Sequence, residues 1–117
     1  MARGVLPVAG LLAALLLLGC GEKQQRSEQL SKAEIEGQWR YENDCAECHE
    51  NPQPDLHKQP PNLHGLFLRK SLPSGAPATD AQVRKTIVGG RGTMPAFDRR
   101  LREEDVGDLV KYLHQLK

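Results

Sequence analysis

Cys45 and Cys48 stand three residues apart and His49 follows at once, in the stretch "NDCAECHEN" at residues 43–51. On a helix that spacing is close to one turn, so the two sulfurs fall on one side. Three kinds of chemistry use such a group. Two thiols from one turn can reach the two vinyl groups along one edge of a porphyrin, while the next residue swings an imidazole under the iron. Cys-x-x-Cys-His is the attachment signature of c-type haem. Alternatively, Cys45 and Cys48 with histidines could complete a four-ligand zinc site. As a third option, the two thiols could cycle as a redox disulfide, which normally sits in a βαβ setting.

The rest of the chain weighs these options. His57 and His64 are the histidines nearest the motif, but their spacing is not the usual His-x3–5-His pair of zinc sites. No stretch alternates as a strand does, so a βαβ setting is not expected. Aromatic residues make up 4% of 117 residues and the mean hydropathy is −0.55. A core so poor in large side chains profits from a bulky apolar cofactor. Haem attachment is the favoured reading, with covalent haem c as the cofactor.

Function then turns on the sixth iron position. The chain has two methionines, and Met1 lies in the leader, so Met94 is the candidate thioether ligand. It sits in "GGRGTMPAF", residues 89–97, off any helical stripe. The glycines are expected to let backbone pass close to a flat ring. Pro95 holds Met94 extended. His49 and Met94 are thus the expected axial ligands. Of the other histidines, His57 is expected to face solvent in a proline-rich loop, with a minor reading as a replacement for Met94. His114 is expected at the surface.

These groups need elements to hold them, and the sequence supplies helices. "SKAE" at 31–34 is a capping box, predicting a first helix from Ser31 that runs into the Cys-x-x-Cys-His motif. Residues 50–79 hold six of the eight prolines and read as an ordered loop. A second helix is expected over about 80–88, capped by Thr79 or Asp80, with Val83, Ile87 and Val88 inward and Gly89 as its stop. Glu103, Glu104 and Asp105 suit the positive end of a last helix. Its stripe is Val106, Leu109, Val110 and Leu113.

Residues 1–19 form a leader with one charge, Arg3, and an apolar run too short to span a bilayer. It ends in "LLGC", so a signal cut before Cys20 would leave that cysteine to carry lipid, as in bacterial lipoproteins. The expected division is leader 1–19, lipidated flexible tether 20–30 and a single domain 31–117. Lipidation of Cys20 leaves Cys45 and Cys48 as the remaining pair. The formal charge is +1, with 5 basic and 9 acidic groups over 22–60 against 10 and 6 over 61–117. That balance excludes a strongly basic nucleic-acid binder and allows a dipolar molecule.

With these residues in place, the chain resembles the class I c-type cytochromes. The match runs in order through Gly37 and Tyr41, "CAECH", "PNLHGLFLRK" at 61–70, "MPAF" at 94–97 and "DLVKYLHQL" at 108–116. The resemblance implies an all-α fold with three main helices around a covalent haem, the first and last crossing at Gly37. It implies that the Pro61 carbonyl accepts from His49, that Arg69 lies near a propionate, and that His64 is not a ligand. The family's tyrosine and tryptophan on the propionates have no counterpart between Phe67 and Phe97. Arg84, Lys85, Arg91, Arg99 and Arg100 stand where a docking rim for an acidic redox partner would be. The expected function is one-electron transfer in a respiratory or related chain. The protein would be a non-enzymatic carrier tethered on the periplasmic side of a bacterial membrane. A cytochrome subunit of an oxidase or dehydrogenase is the rival, and a haem sensor or peroxidase-like enzyme the lesser one.

Overall fold

The computed structural model describes residues 21–117, with side chains from Lys32 onward. Helix α1 spans Gly21–Asp44, α2 is a single turn at Ala46–His49, α3 spans Asp80–Gly89 and α4 spans Glu103–Gln115. A short 3-10 turn lies at Leu66–Leu68. Two isolated bridges, Ser71 with Pro77 and Arg91 with Met94, are the only β pairings among the described residues. The fold is all-α, as the periodicity predicts.

One boundary differs. The helix expected from Ser31 begins ten residues earlier, at Gly21, so the segment 21–30 expected as an irregular tether is helical. "GEKQQRSEQL" lacks an apolar stripe, yet most of its residues are strong helix formers. The missing stripe predicts that little is buried there; it does not forbid a helix. Cys20 and the leader lie outside the described residues.

Residues Lys32–Lys117 pack as one unit around α4. Val106, Leu109, Val110 and Leu113 are buried along its inner face, as the stripe predicts. Each such burial contributes about 1.5–3 kcal/mol. Helix α3 lies against α4, with Val83 and Ile87 inward. Thr79 caps α3 by accepting from the Gln82 N–H at 3.4 Å. Arg84 reaches from α3 to Glu103 at the start of α4, 2.7 Å away.

The crossing of α1 and α4 depends on Gly37. A Cβ there would stand 2.2 Å from the Asp108 carbonyl oxygen and 2.9 Å from the Tyr112 Cβ. One turn on, Tyr41 meets Tyr112 with ring centroids 5.4 Å apart. At the other edge of the crossing Asp105 is buried between two arginines. It accepts from the Arg102 backbone N–H at 2.9 Å and from Arg40 Nη2 at 3.2 Å. The Arg102 guanidinium, which donates to it at 3.1 and 3.2 Å, then the Arg102 N–H and, less, Arg40 hold the Asp105 carboxyl down to about 2. The aromatics buried in the core are Tyr41 and Phe97, so the core is as thin as the composition implies.

Candidate haem site

The site has two halves. The first grows from the end of α1. Cys45 leaves the helix at φ −125 and ψ −46, yet its N–H still bonds the Tyr41 carbonyl at 3.0 Å. The His49 N–H returns to the Cys45 carbonyl at 3.0 Å, closing one turn that carries Cys45, Cys48 and His49. Neither cysteine is in a disulfide; Cys45 is buried and Cys48 exposed. Burial, helped by the nearby Asp44 carboxylate, pushes the Cys45 thiol up to about 12. A redox dithiol needs the opposite shift. Among the described residues no three His, Cys, Asp or Glu side chains converge as a zinc site would require.

His49 Nδ1 lies 2.6 Å from the Pro61 carbonyl oxygen. A carbonyl can only accept, so Nδ1 carries a proton, and in the neutral imidazole Nε2 then keeps its lone pair. The loop bearing Pro61 is braced twice. Gln53 and Gln59 exchange amide bonds, the Gln53 N–H donating to Gln59 Oε1 at 2.8 Å and Gln59 Nε2 to the Gln53 carbonyl at 2.7 Å. Gln53 Nε2 also donates to the Glu47 carbonyl at 2.8 Å. Beyond Pro61, Arg69 Nη2 donates to the carbonyls of Asn62 at 2.8 Å and His64 at 2.9 Å. The guanidinium expected near a propionate therefore also clamps the turn that presents the Pro61 carbonyl.

A second brace was not legible in the sequence. Tyr41 donates to Glu50 Oε1 at 2.9 Å, and His64 Nε2 lies 3.2 Å from the same oxygen. His64 Nδ1 faces the Lys117 carbonyl at 2.8 Å. The two acceptors favour protonated His64, with the Lys117 carbonyl the larger cause. The Tyr41 donor and then His64 hold Glu50 below its usual range. Burial first, and the Glu50 contact next, raises the Tyr41 phenol. This chain ties α1, the turn after α2 and the C-terminus together around His49. The spacings 41, 50, 64 and 117 have no sequence signature.

The second half of the site is the loop after α3. Helix α3 runs through Gly89, and the stop expected there falls one residue later. Gly90 has φ 69 and ψ 177, a backbone state open to glycine almost alone. A Cβ on Gly90 would meet the Met94 carbonyl oxygen and the Ala96 nitrogen, both at 2.7 Å. The loop's own backbone fills that space, so Gly90 lets the loop close on itself. Arg91 and Met94 exchange N–H···O bonds of 3.0 Å in each direction. The Phe97 N–H bonds the Ile87 carbonyl at 3.1 Å, fastening the loop to α3. Met94 is half-buried and packs on the core, as do Ala46, Leu63, Phe67 and Val88.

The remaining candidates scatter. His57 is exposed. His114 is exposed too, stacked on Phe67 at 3.7 Å and 2.7 Å from Asp80 Oδ1. Of the five cations near Met94, Arg84 is paired with Glu103 and Arg100 with Asp44. Lys85, Arg91 and Arg99 are exposed and in no ion pair among the described residues.

The family described as "Cytochrome C oxidase, cbb3-type, subunit III" matches residues 32–113. Cytochrome c of Kluyveromyces lactis is 31% identical over 97 residues, covering 69% of this chain and 88% of the relative. The chain belongs to the cytochrome c family. Cytochrome c of Ginkgo biloba is 30% identical over 91 residues, 64% of this chain and 80% of that one. No solved structure matches. As a class I c-type cytochrome the protein carries covalent haem c and transfers electrons. The residues fit that group. A helical turn presents two unpaired thiols, the histidine Nδ1 is committed to a carbonyl, and half-buried apolar side chains stand beside a methionine.

Proposed function

We propose that this cytochrome is a one-electron carrier with a single haem c, its iron held by His49 and Met94, tethered by lipid on Cys20 to the periplasmic side of a bacterial membrane. The observation that carries the ligand assignment is the 2.6 Å contact of His49 Nδ1 with the Pro61 carbonyl. It fixes the tautomer, orients the ring and makes Nε2 a stronger donor. When bound, haem c supplies a reversible ferric–ferrous couple.

The chain's own residues do the rest. Cys45 and Cys48 hold the macrocycle by thioether bonds. The Met94 thioether favours the ferrous state and so raises the potential. Leu63, Phe67 and Val88, half-buried on the core, would offer the ring apolar surface. With His49 and Met94 both holding the iron, the protein would make and break no substrate bonds, and its work would be to place a redox edge. Lys85, Arg91 and Arg99, exposed and in no ion pair among the described residues, suit an acidic surface on the redox partner, with association that weakens as salt rises.

The optical spectrum of the purified protein tests the ligand set. A covalent haem c spectrum with a methionine–iron charge-transfer band is expected, and the band should vanish in Met94→Ala. Carbon monoxide binding to the native ferrous protein would overturn the carrier reading. Mass spectrometry of the mature chain tests the tether. Acylated Cys20 at the N-terminus is expected, with release to the soluble fraction in Cys20→Ala.

A second reading has an observation of its own. Ile35 and Trp39 lie one turn apart on α1 and are 65% and 50% exposed, an apolar pair that suits a permanent partner in an oxidase or dehydrogenase complex. Co-purification of a stoichiometric partner in mild detergent would favour it; a monodisperse delipidated monomer would not.

A further inference from the structure

We infer that Asp44 and Arg100 form a positioning pair that closes the Met94 loop onto the Cys45–His49 turn and sets how firmly the Met94 thioether holds the iron. The inference rests on the reading of His49 and Met94 as the two ligands.

The two halves of the site come from distant parts of the chain. Asp44 is the last residue of α1, immediately before Cys45. Its carboxylate is 13% exposed and lies 3.3 Å from Arg100 Nη2. Among the described residues this is the one hydrogen bond between the stretch 43–49 and the segment 90–101. Every other polar tie of the Met94 loop runs to its own backbone or back to α3, from Gly90 to Thr86 and from Phe97 to Ile87.

Arg100 is aimed rather than loose. Its guanidinium lies over the Phe97 ring, 5.1 Å from the centroid. The N–H groups of Arg100 and Leu101 both return to the Phe97 carbonyl, at 3.0 and 2.9 Å. Residues 97–101 therefore form one tight turn, and Phe97 is buried and three residues from Met94. A pull on Arg100 is passed through this turn to the loop. Most surface ion pairs contribute little because two long side chains must be ordered. Here Asp44 is mostly buried and Arg100, although 60% exposed, lies over an aromatic face, so less freedom is lost.

Imidazole competes with a thioether for ferric iron, so its affinity reads the hold of Met94 directly. The ferric holoprotein is titrated with imidazole in the parent, Asp44→Asn, Arg100→Gln, the double variant, Arg100→Lys, Met94→Ala and Arg84→Gln. The single variants Asp44→Asn and Arg100→Gln should keep the methionine–iron band yet bind imidazole about fivefold more tightly, the upper range for such a pair. The double variant should match either single, and Arg100→Lys should recover part of the effect. Arg84→Gln breaks a different ion pair, to Glu103, and should bind as the parent does. Affinities of both singles within twofold of the parent would overturn the inference. So would fully additive effects in the double, or an equal change in Arg84→Gln, which would reveal a general loss of stability. A band that survives in Met94→Ala removes the ligand reading itself, and the pair's role with it.

Discussion

The histidine half and the methionine half of the site are held by different kinds of structure. Cys45, Cys48 and His49 ride on a single turn whose hydrogen bonds are local, and one contact to Pro61 fixes the imidazole. Met94 sits in a loop that closes because Gly90 lets backbone meet backbone and because Phe97 is fastened to α3. The first half is written in five consecutive residues. The second rests on ties to distant residues, Phe97 to Ile87 of α3 and Arg100 to Asp44 at the end of α1. Local units form and persist with little help, whereas loops that depend on tertiary packing open first. The histidine side should therefore be the permanent side of the site and the methionine side the one that yields.

The largest break in this comparison comes from removing the permanent side. The Cys45→Ala/Cys48→Ala variant should hold no covalent haem at all, read by loss of haem staining on a denaturing gel. In the thin core this should also abolish a cooperative thermal transition. Next is Gly90→Ala. It forces a side chain into a glycine-only backbone state and against three backbone atoms, at a cost of about 3 kcal/mol or more. Haem should remain attached while the methionine–iron band is lost, so the two halves separate in one spectrum.

What the sequence disclosed follows the same line. Cys-x-x-Cys-His and the α4 stripe were legible because each depends on near neighbours or on one periodicity, whereas the crossing at Gly37 came from the family resemblance. The helical start at Gly21 was missed because a polar segment of good helix formers lacks the stripe that marks a buried helix. The Tyr41–Glu50–His64–Lys117 chain was invisible, since its members gain meaning only from tertiary placement. Of the glycines around Met94, Gly90 has a role in the fold that the sequence did not disclose. That role is loop closure, and only coordinates show which atom fills the space of a missing Cβ.

Gly37→Ala probes the scaffold that both halves share. The new Cβ would fall 2.2 Å from a backbone oxygen, so α1 and α4 must separate. Overpacking of about 3 kcal/mol, less about 1 kcal/mol gained in helix propensity, leaves a net loss near 2 kcal/mol in chemical denaturation. Both halves should weaken together. Asp105→Asn should cost less, about 1–2 kcal/mol, because the amide can still accept from the Arg102 N–H but no longer faces Arg40 as an anion. Its folded carboxyl lies at about 2, below the ordinary 3.8. A lowered pKa contributes stability that is whole above the ordinary value and is lost as the pH falls through the folded one. Denaturation midpoints of the parent should therefore drop between about pH 4 and pH 2, and the Asn variant should show a smaller drop there.

The smallest expected effect sharpens the comparison most. Pro61 serves His49 through its carbonyl, and every residue has one. The turn that presents this carbonyl is clamped by Arg69 on Asn62 and His64 and braced by Gln53 with Gln59. Pro61→Ala should therefore keep the contact and leave the spectrum of the ferric and ferrous protein unchanged. The loss should be about 0.4–1 kcal/mol in stability, the gain in freedom of the unfolded chain when a proline is removed. Arg69→Ala in the same background should then do what Pro61→Ala alone does not. With the clamp gone, the carbonyl can drift from Nδ1, the imidazole loses its orienting acceptor, and the reduction potential should move although both ligands remain. A potential already shifted in Pro61→Ala would mean that the ring, by fixing φ, holds the carbonyl in place, and that the histidine side is less self-sufficient than its five residues suggest.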